Sequence, residues 1–215
     1  MSGLNSDYLI QGKPEQSSTV GAIAFAEETV ALPTKPSEAL PEASWKFCGY
    51  VSEDGVKFSP SVDTEKIKDW GANIIRKLIK EFDGTIKFSI IQLDKDAWAF
   101  ALGDDHVELV PATATEGNIV KAKFGAHLAP NKHVVIKVKD DNRRIMIVVP
   151  KGQVTEFDDM EFKADSLVGL SCTLSCNDDG NGDAVYVYVD DGKKTSSVAM
   201  NKNGEVTKGS KKDLI

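Results

Sequence analysis

The sequence predicts a mainly β protein: a β-sandwich or open barrel with one short flanking α-helix and an extended N-terminal arm. Three observations lead there. From about residue 118 onward, apolar and polar residues alternate in short runs punctuated by Asn, Asp and Gly. A single stretch, "DKDAWAFALG", has a cap, an apolar face and a glycine stop. Residues 30–45 carry Pro33, Pro36 and Pro41, which lack an N–H and fix φ, so an extended path is expected there.

In chain order, residues 1–45 read as an arm whose only apolar run, "TVGAIAFAEE", suits one short strand. Residues 46–190 read as the β domain. Phe47–Val51 suits a strand, "SEDG" has turn chemistry with Gly55 free to take positive φ, and "VKFSPSV" resumes an extended pattern that Pro60 places at an edge or in a loop. "DTEKIKDWG" reads as a loop or as one helical turn capped by Asp63 or Thr64.

The next segment, "DWGANIIRKLIKEFDGTIKFSII", gives two local answers. Ile74, Ile75, Leu78, Ile79 and Phe82 fall at helical spacing, whereas Asp83–Gly84 is a hairpin signal and Ile86, Phe88 and Ile90 then alternate as on a strand. Helix then strand, or a long hairpin, both fit. Asp94 to Leu102 is the one clear helix, capped by Asp94 and stopped by Gly103. "HVVIKV" and "IMIVV" read as strands joined by a turn at "KDDNRR", and "VYVYV" is a further strand of high propensity. Residues 191–215 read as a flexible basic extension. Its stretch Asn201–Ile215 is polar and aperiodic, and six lysines follow Gly192 against Glu205 and Asp213.

Composition excludes several functions. The net charge of −7 argues against a general nucleic-acid-binding surface, which needs clustered Lys and Arg. No segment approaches the length of a membrane span, and the N-terminus lacks a basic start followed by an apolar run, so neither a membrane anchor nor a signal peptide is expected. Cys172 and Cys176 would lie about 13 Å apart on one strand face, too far for a disulfide, and with Cys48 they read as buried thiols. His106, His127 and His133 lack metal or nucleophile-elbow spacing, with His133 reading as a surface or internally satisfied residue. The acidic pairs all sit beside turn residues, and "DDGNGD" departs from a calcium loop and reads as a β-turn. No cofactor, metal or catalytic group is expected, and the chain does not read as an enzyme.

The segments "GAIAFAEETVALPTKPSEAL", "GYVSEDGV" with the following acidic stretch and "WG", and "RRIMIVVP" with "QVTE" together resemble the major tail tube proteins of long-tailed, non-contractile (siphovirus-like) bacteriophages of Gram-positive hosts, over about Gly21 to Tyr188. The resemblance implies a structural subunit whose hexameric rings stack into a tube around a tape-measure protein. Further partners would be tail terminator and baseplate or distal tail proteins. Genomic DNA would pass through without specific binding, and no membrane would be involved. It implies a virion location after assembly in the host cytoplasm. It also favours the hairpin reading, with Ile74–Glu81 and Thr85–Leu93 as adjacent strands of the ring's inner barrel. Candidate inter-subunit contacts are Pro33, Pro36 and Pro41 in the arm and Ser59, Pro60, Asp63, Ile67 and Trp70 in an acidic loop, Ser52–Gly71, with both segments disordered until assembly. The alternative is a non-enzymatic β-sandwich module for carbohydrate or cell-surface adhesion, which would show an exposed aromatic platform.

Overall fold

A computed structural model describes residues 5–17 and 21–194. The expectation for Asn201–Ile215 therefore lies outside the described residues, as does most of the 191–215 extension.

Twelve strands and one α-helix are present among these residues. β1 (Ile23–Ala26) and β2 (Lys46–Phe47) come first, then β3 (Val51–Ser59), β4 (Val62–Lys68), β5 (Ile74–Phe82) and β6 (Gly84–Ile90). The helix α1 (Lys95–Leu102) and the strands β7 (Val107–Val110) and β8 (Ile119–Ala122) follow. β9 (Lys132–Asp140), β10 (Arg143–Phe157), β11 (Leu170–Asn177) and β12 (Tyr186–Asp190) complete the chain. The main sheet runs β2-β1-β9-β10-β11-β6-β3, with β12 also on β10; β4-β5 and β7-β8 are separate two-stranded ribbons.

The fold is a β-sandwich, and β10 is what makes it one. Residues 144–148 of β10 pair with β9 and β12, while residues 151–157 pair with β11. The register shifts between Val149 and Gly152, where Pro150 has no N–H to give a ladder. His133, buried on β9, forms its Nδ1 hydrogen bond with the Pro150 carbonyl at this corner. Of its two sequence readings, internally satisfied is therefore the one the structure shows.

Two apolar clusters flank the sheet. Ile86, Phe88 and Ile90 of β6 and Leu170, Cys172, Leu174 and Cys176 of β11 alternate into the larger one, which α1 covers. Phe100 of α1 lies 5.0 Å from the Phe25 ring and 6.0 Å from the Phe88 ring. On the opposite face Ala24, Ala26, Val135, Met146 and Val148 pack with Trp45, and Val30, Leu32 and Leu40 close over them. β1 and much of β9 are thus covered on both faces, which is why they read as continuous apolar runs rather than alternating ones. The arm consequently does not lie wholly outside the core: Ile23–Ala26 is a buried strand between β2 and β9.

The helix is held at both ends. Asp94 Oδ1 accepts from Ala97 N at 2.9 Å, and Gly103 at φ 93° ends the last turn. Beyond it, Asp104 accepts from Lys132 at 2.8 Å and from Lys46 at 3.2 Å, while Lys132 also reaches Glu27 at 2.9 Å. Burial pushes the Lys132 amine down, but its bonds to Asp104 and Glu27 outweigh that and leave it raised. Burial likewise pushes the Asp104 carboxyl up, and the two lysines outweigh it and leave it lowered.

The turn at Asp141–Asn142 joins β9 to β10 as expected, with Asp141 at φ 55°. The "DDGNGD" stretch is a turn too. Asp179 accepts from Tyr186 Oη at 2.7 Å and from Asn181 N at 2.7 Å, which hold its carboxyl down at about 2, and the same bond lifts the Tyr186 phenol to about 12. Burial pushes the Cys172 and Cys176 thiols up to about 12, and Cys48 is raised as well, as inert core thiols require.

Two expectations follow. Phe25→Ala should cost about 3–5 kcal/mol in urea unfolding, whereas Ile79→Ala, on an uncovered strand, should change the stability of the isolated subunit by no more than about 0.5 kcal/mol. Asp104→Asn should cost about 1 kcal/mol at pH 7. Because the folded Asp104 carboxyl is depressed, its contribution is present above the ordinary value of 3.8 and lost as pH falls through the lower folded value. The gap between variant and wild-type melting curves should therefore close below about pH 4.

Candidate assembly interface

The segment left open by the sequence is a strand, and its pairing differs from the hairpin that was expected. Ile74–Phe82 is β5, and its partner is β4, not β6. β6 pairs instead with β3 and β11. The chain from Val51 to Ile90 is in effect one long antiparallel hairpin. Its lower part, β3 with β6, belongs to the main sheet, and its upper part, β4 with β5, extends beyond it.

Two strong sequence signals fall inside this hairpin rather than at its turn. Asp83–Gly84 joins the upper and lower parts of one arm: Asp83 N donates to Ser61 O at 2.8 Å and Ser61 N to Asp83 O at 3.1 Å. At Gly84 the missing Cβ leaves room for the Phe82 ring, which a Cβ would meet at 2.4 Å. "SEDG" is likewise a bulge in β3, where Val51 opposes Ile90 and Val56 opposes Phe88, with Gly55 at φ 68°. The acidic loop Ser52–Gly71 is therefore two ordered strands. A turn of glycine and aspartate was expected at each place because their local chemistry suits bulges and turns equally.

The actual tip is Asp69–Asn73. Asn73 N and Nδ2 donate to the two carboxylate oxygens of Asp69 at 2.7 and 3.2 Å, and these bonds lower the Asp69 pKa. Ala72 takes φ 63°. This self-contained turn turns Trp70 outward, fully exposed.

The ribbon is uncovered on both faces. Every residue of β4 is exposed, and on β5 only Leu78 is partly buried. Val62, Ile67, Ile74, Ile75, Ile79 and Phe82 are all exposed, Ile75 and Ile79 at 66% and 75%. An apolar concentration of this kind on a two-stranded ribbon marks a contact surface.

Of the residues expected at subunit contacts, Ser59, Pro60, Asp63, Ile67 and Trp70 are all exposed and lie along this hairpin. The arm residues are elsewhere. Pro33 is buried, Pro36 half-buried and Pro41 exposed, in the segment that covers the Trp45 cluster of its own sheet. The exposed β5 side chains Ile74, Ile79 and Phe82 were not among the expected contact residues, although their apolar density was an available signal. The tryptophans form no platform: Trp45 is buried, Trp98 packs edge-on against Phe124 at 5.8 Å, and Trp70 stands alone at the tip. Among the described residues no group of three acidic, His or Cys side chains could hold a metal, and no helix is long and apolar enough to cross a membrane.

The geometry is that of a β-sandwich carrying a projecting ribbon whose apolar side chains have no cover within the subunit. Residues 15–199 match the phage tail tube protein family, and the chain belongs to that family. It is thus a structural component of a phage tail. A search of curated proteins found no match. Among solved structures, one described as the tube-terminating cap of an anti-feeding prophage is similar at 13% identity, over 84% of this chain and 95% of that one, with a TM-score of 0.41.

Trp70 offers a direct reading of the ribbon. In the isolated subunit, iodide should quench the Trp70 share of the fluorescence while Trp45 stays dark to it, and Trp70→Phe should remove most of the quenchable signal.

Proposed function

We propose that this chain is the repeating subunit of the tail tube, with six copies closing into a ring and rings stacking along the axis. The observation that carries the proposal is the β4-β5 ribbon: an ordered element whose apolar side chains have no cover within the subunit. Membership of the tail tube family supports the same reading. In this reading Ser59, Pro60, Asp63, Ile67 and Trp70 contact neighbouring copies. The Pro33, Pro36 and Pro41 segment adds to the contact through its exposed outer side. The tube would form in the host cytoplasm around a tape-measure protein, meet terminator and baseplate or distal tail proteins at its ends, and later pass DNA without binding it.

The energetics favour assembly over an isolated life. Burying one exposed Ile or Phe side chain contributes about 1.5–3 kcal/mol. Several per subunit, repeated round a closed ring, outweigh the cost of association that a single pair of copies would meet poorly. Because the ribbon is already a paired strand hairpin, little backbone ordering remains to oppose docking.

The ribbon can be removed cleanly because Ser61 and Asp83 already face each other across the ladder. Replacing residues 62–82 with Asn-Gly, which favours a tight two-residue turn, should leave the melting temperature of the sandwich nearly unchanged. The same variant should form no tubes, whereas wild-type protein at high concentration should give tubes with six-fold symmetry by electron microscopy. Normal tubes from the shortened chain would refute the role given to the ribbon.

A further inference from the structure

The register of the ribbon sorts its charges onto opposite faces. On β4, Val62, Thr64, Lys66 and Lys68 alternate with Asp63, Glu65 and Ile67, so the two sets point to opposite sides. Their partners on β5 follow the pairing. Phe82, Ile79, Lys77 and Ile74 sit opposite Val62, Thr64, Lys66 and Lys68; Glu81, Leu78 and Arg76 sit opposite Asp63, Glu65 and Ile67. One face thus combines apolar residues with Lys66, Lys68 and Lys77. The other combines apolar residues with Asp63, Glu65 and Glu81 and carries Arg76, while Lys80 and Ile75 occupy the two bulges and belong to neither paired set.

Within each face, like charges stand directly across the ladder. Lys66 pairs with Lys77, and Asp63 with Glu81. Such pairs destabilise an isolated ribbon. None of Asp63, Glu65, Lys66, Lys68, Lys77 and Glu81 makes an ion pair among the described residues. The two faces lie on the same element, with four cross-strand pairs on one and three on the other, and are opposite in sign. An element with those properties is complementary to a second copy of itself.

We propose that copies of this chain dock ribbon on ribbon, the basic face of one against the acidic face of the next, so that each like-charged pair is neutralised by its neighbour. The contact is heterologous, joining two different surfaces, and therefore propagates from copy to copy instead of stopping at a dimer. Apolar burial by Ile74, Ile79, Phe82 and Leu78 supplies much of the attraction. The charges set direction and register, because a basic face meeting a basic face is repelled. This inference rests on the tail tube reading and adds to it which faces meet.

The test is a charge-reversal swap on exposed positions. One variant carries Lys66→Glu, Lys68→Glu and Lys77→Glu; the other carries Asp63→Lys, Glu65→Lys and Glu81→Lys. Each should fold, with a circular dichroism spectrum and melting curve near wild type. Each alone should need a subunit concentration for assembly raised about tenfold or more, read by sedimentation and electron microscopy. An equimolar mixture should restore tubes, because every contact then pairs an acidic with a basic face. If either folded variant polymerises like wild type, or the mixture of folded variants fails to, the docking scheme is wrong while the tube reading stands. If wild-type protein stays monomeric at every concentration, the tube reading falls and takes this one with it. A gel shift of duplex DNA by the free wild-type subunit that is lost in the lysine variant would assign the basic face to nucleic acid and overturn the proposal.

Discussion

The continuity of one backbone ladder governs this molecule. A two-stranded ribbon alone is marginal in water, since it has no third strand and no core to hide an apolar face. Here β4 and β5 persist because their ladder is propagated from β3 and β6, which the sandwich fixes through β11. The sandwich supplies the order, and the ribbon displays it where nothing in the subunit covers it.

That division explains how apolar side chains are distributed. Within the sandwich, Ile86, Phe88, Leu174 and Phe100 are almost wholly inaccessible. A few residues away, Phe82, Ile79 and Ile74 face solvent. The change happens at Asp83–Gly84, where the missing Cβ lets the Phe82 ring lie over the chain. Below that point an apolar side chain contributes to folding; above it the same residue types contribute little within the subunit. In the proposed tube, stability and assembly would be carried by separate parts of one hairpin.

A rigid display differs from the disordered loop that the turn-rich chemistry of residues 52–71 suggests. A disordered segment would lose backbone entropy on docking, about 1–2 kcal/mol for each residue ordered. The ribbon has met most of that within the subunit. In the proposed docking scheme, the like-charged pairs Lys66–Lys77 and Asp63–Glu81 discourage arrangements other than basic face on acidic face.

By itself the sequence determined what short-range chemistry decides. The helix at Lys95–Leu102 was legible because its cap and its stop lie within one turn of it, and the turn at Asp141–Asn142 because its residues tolerate positive φ. Alternation placed Ile86, Phe88 and Ile90 on one face, and the absence of reactive clusters together with the segment resemblance pointed to a structural tail protein. What Ile74–Phe82 forms, and what it pairs with, only the tertiary structure decided. Two bulges in β5, at Ile75 and Lys80, each insert one residue, so Ile74, Lys77, Ile79 and Phe82 share a face at intervals of three, two and three. The apolar residues that fit helical spacing are divided by this ladder: Ile74, Ile79 and Phe82 lie on that face, Leu78 on the other, and Ile75 in a bulge. A local count does not show this division, because the register is set by β4 across the ladder, and the ladder is anchored in a sheet whose members come from the far end of the chain.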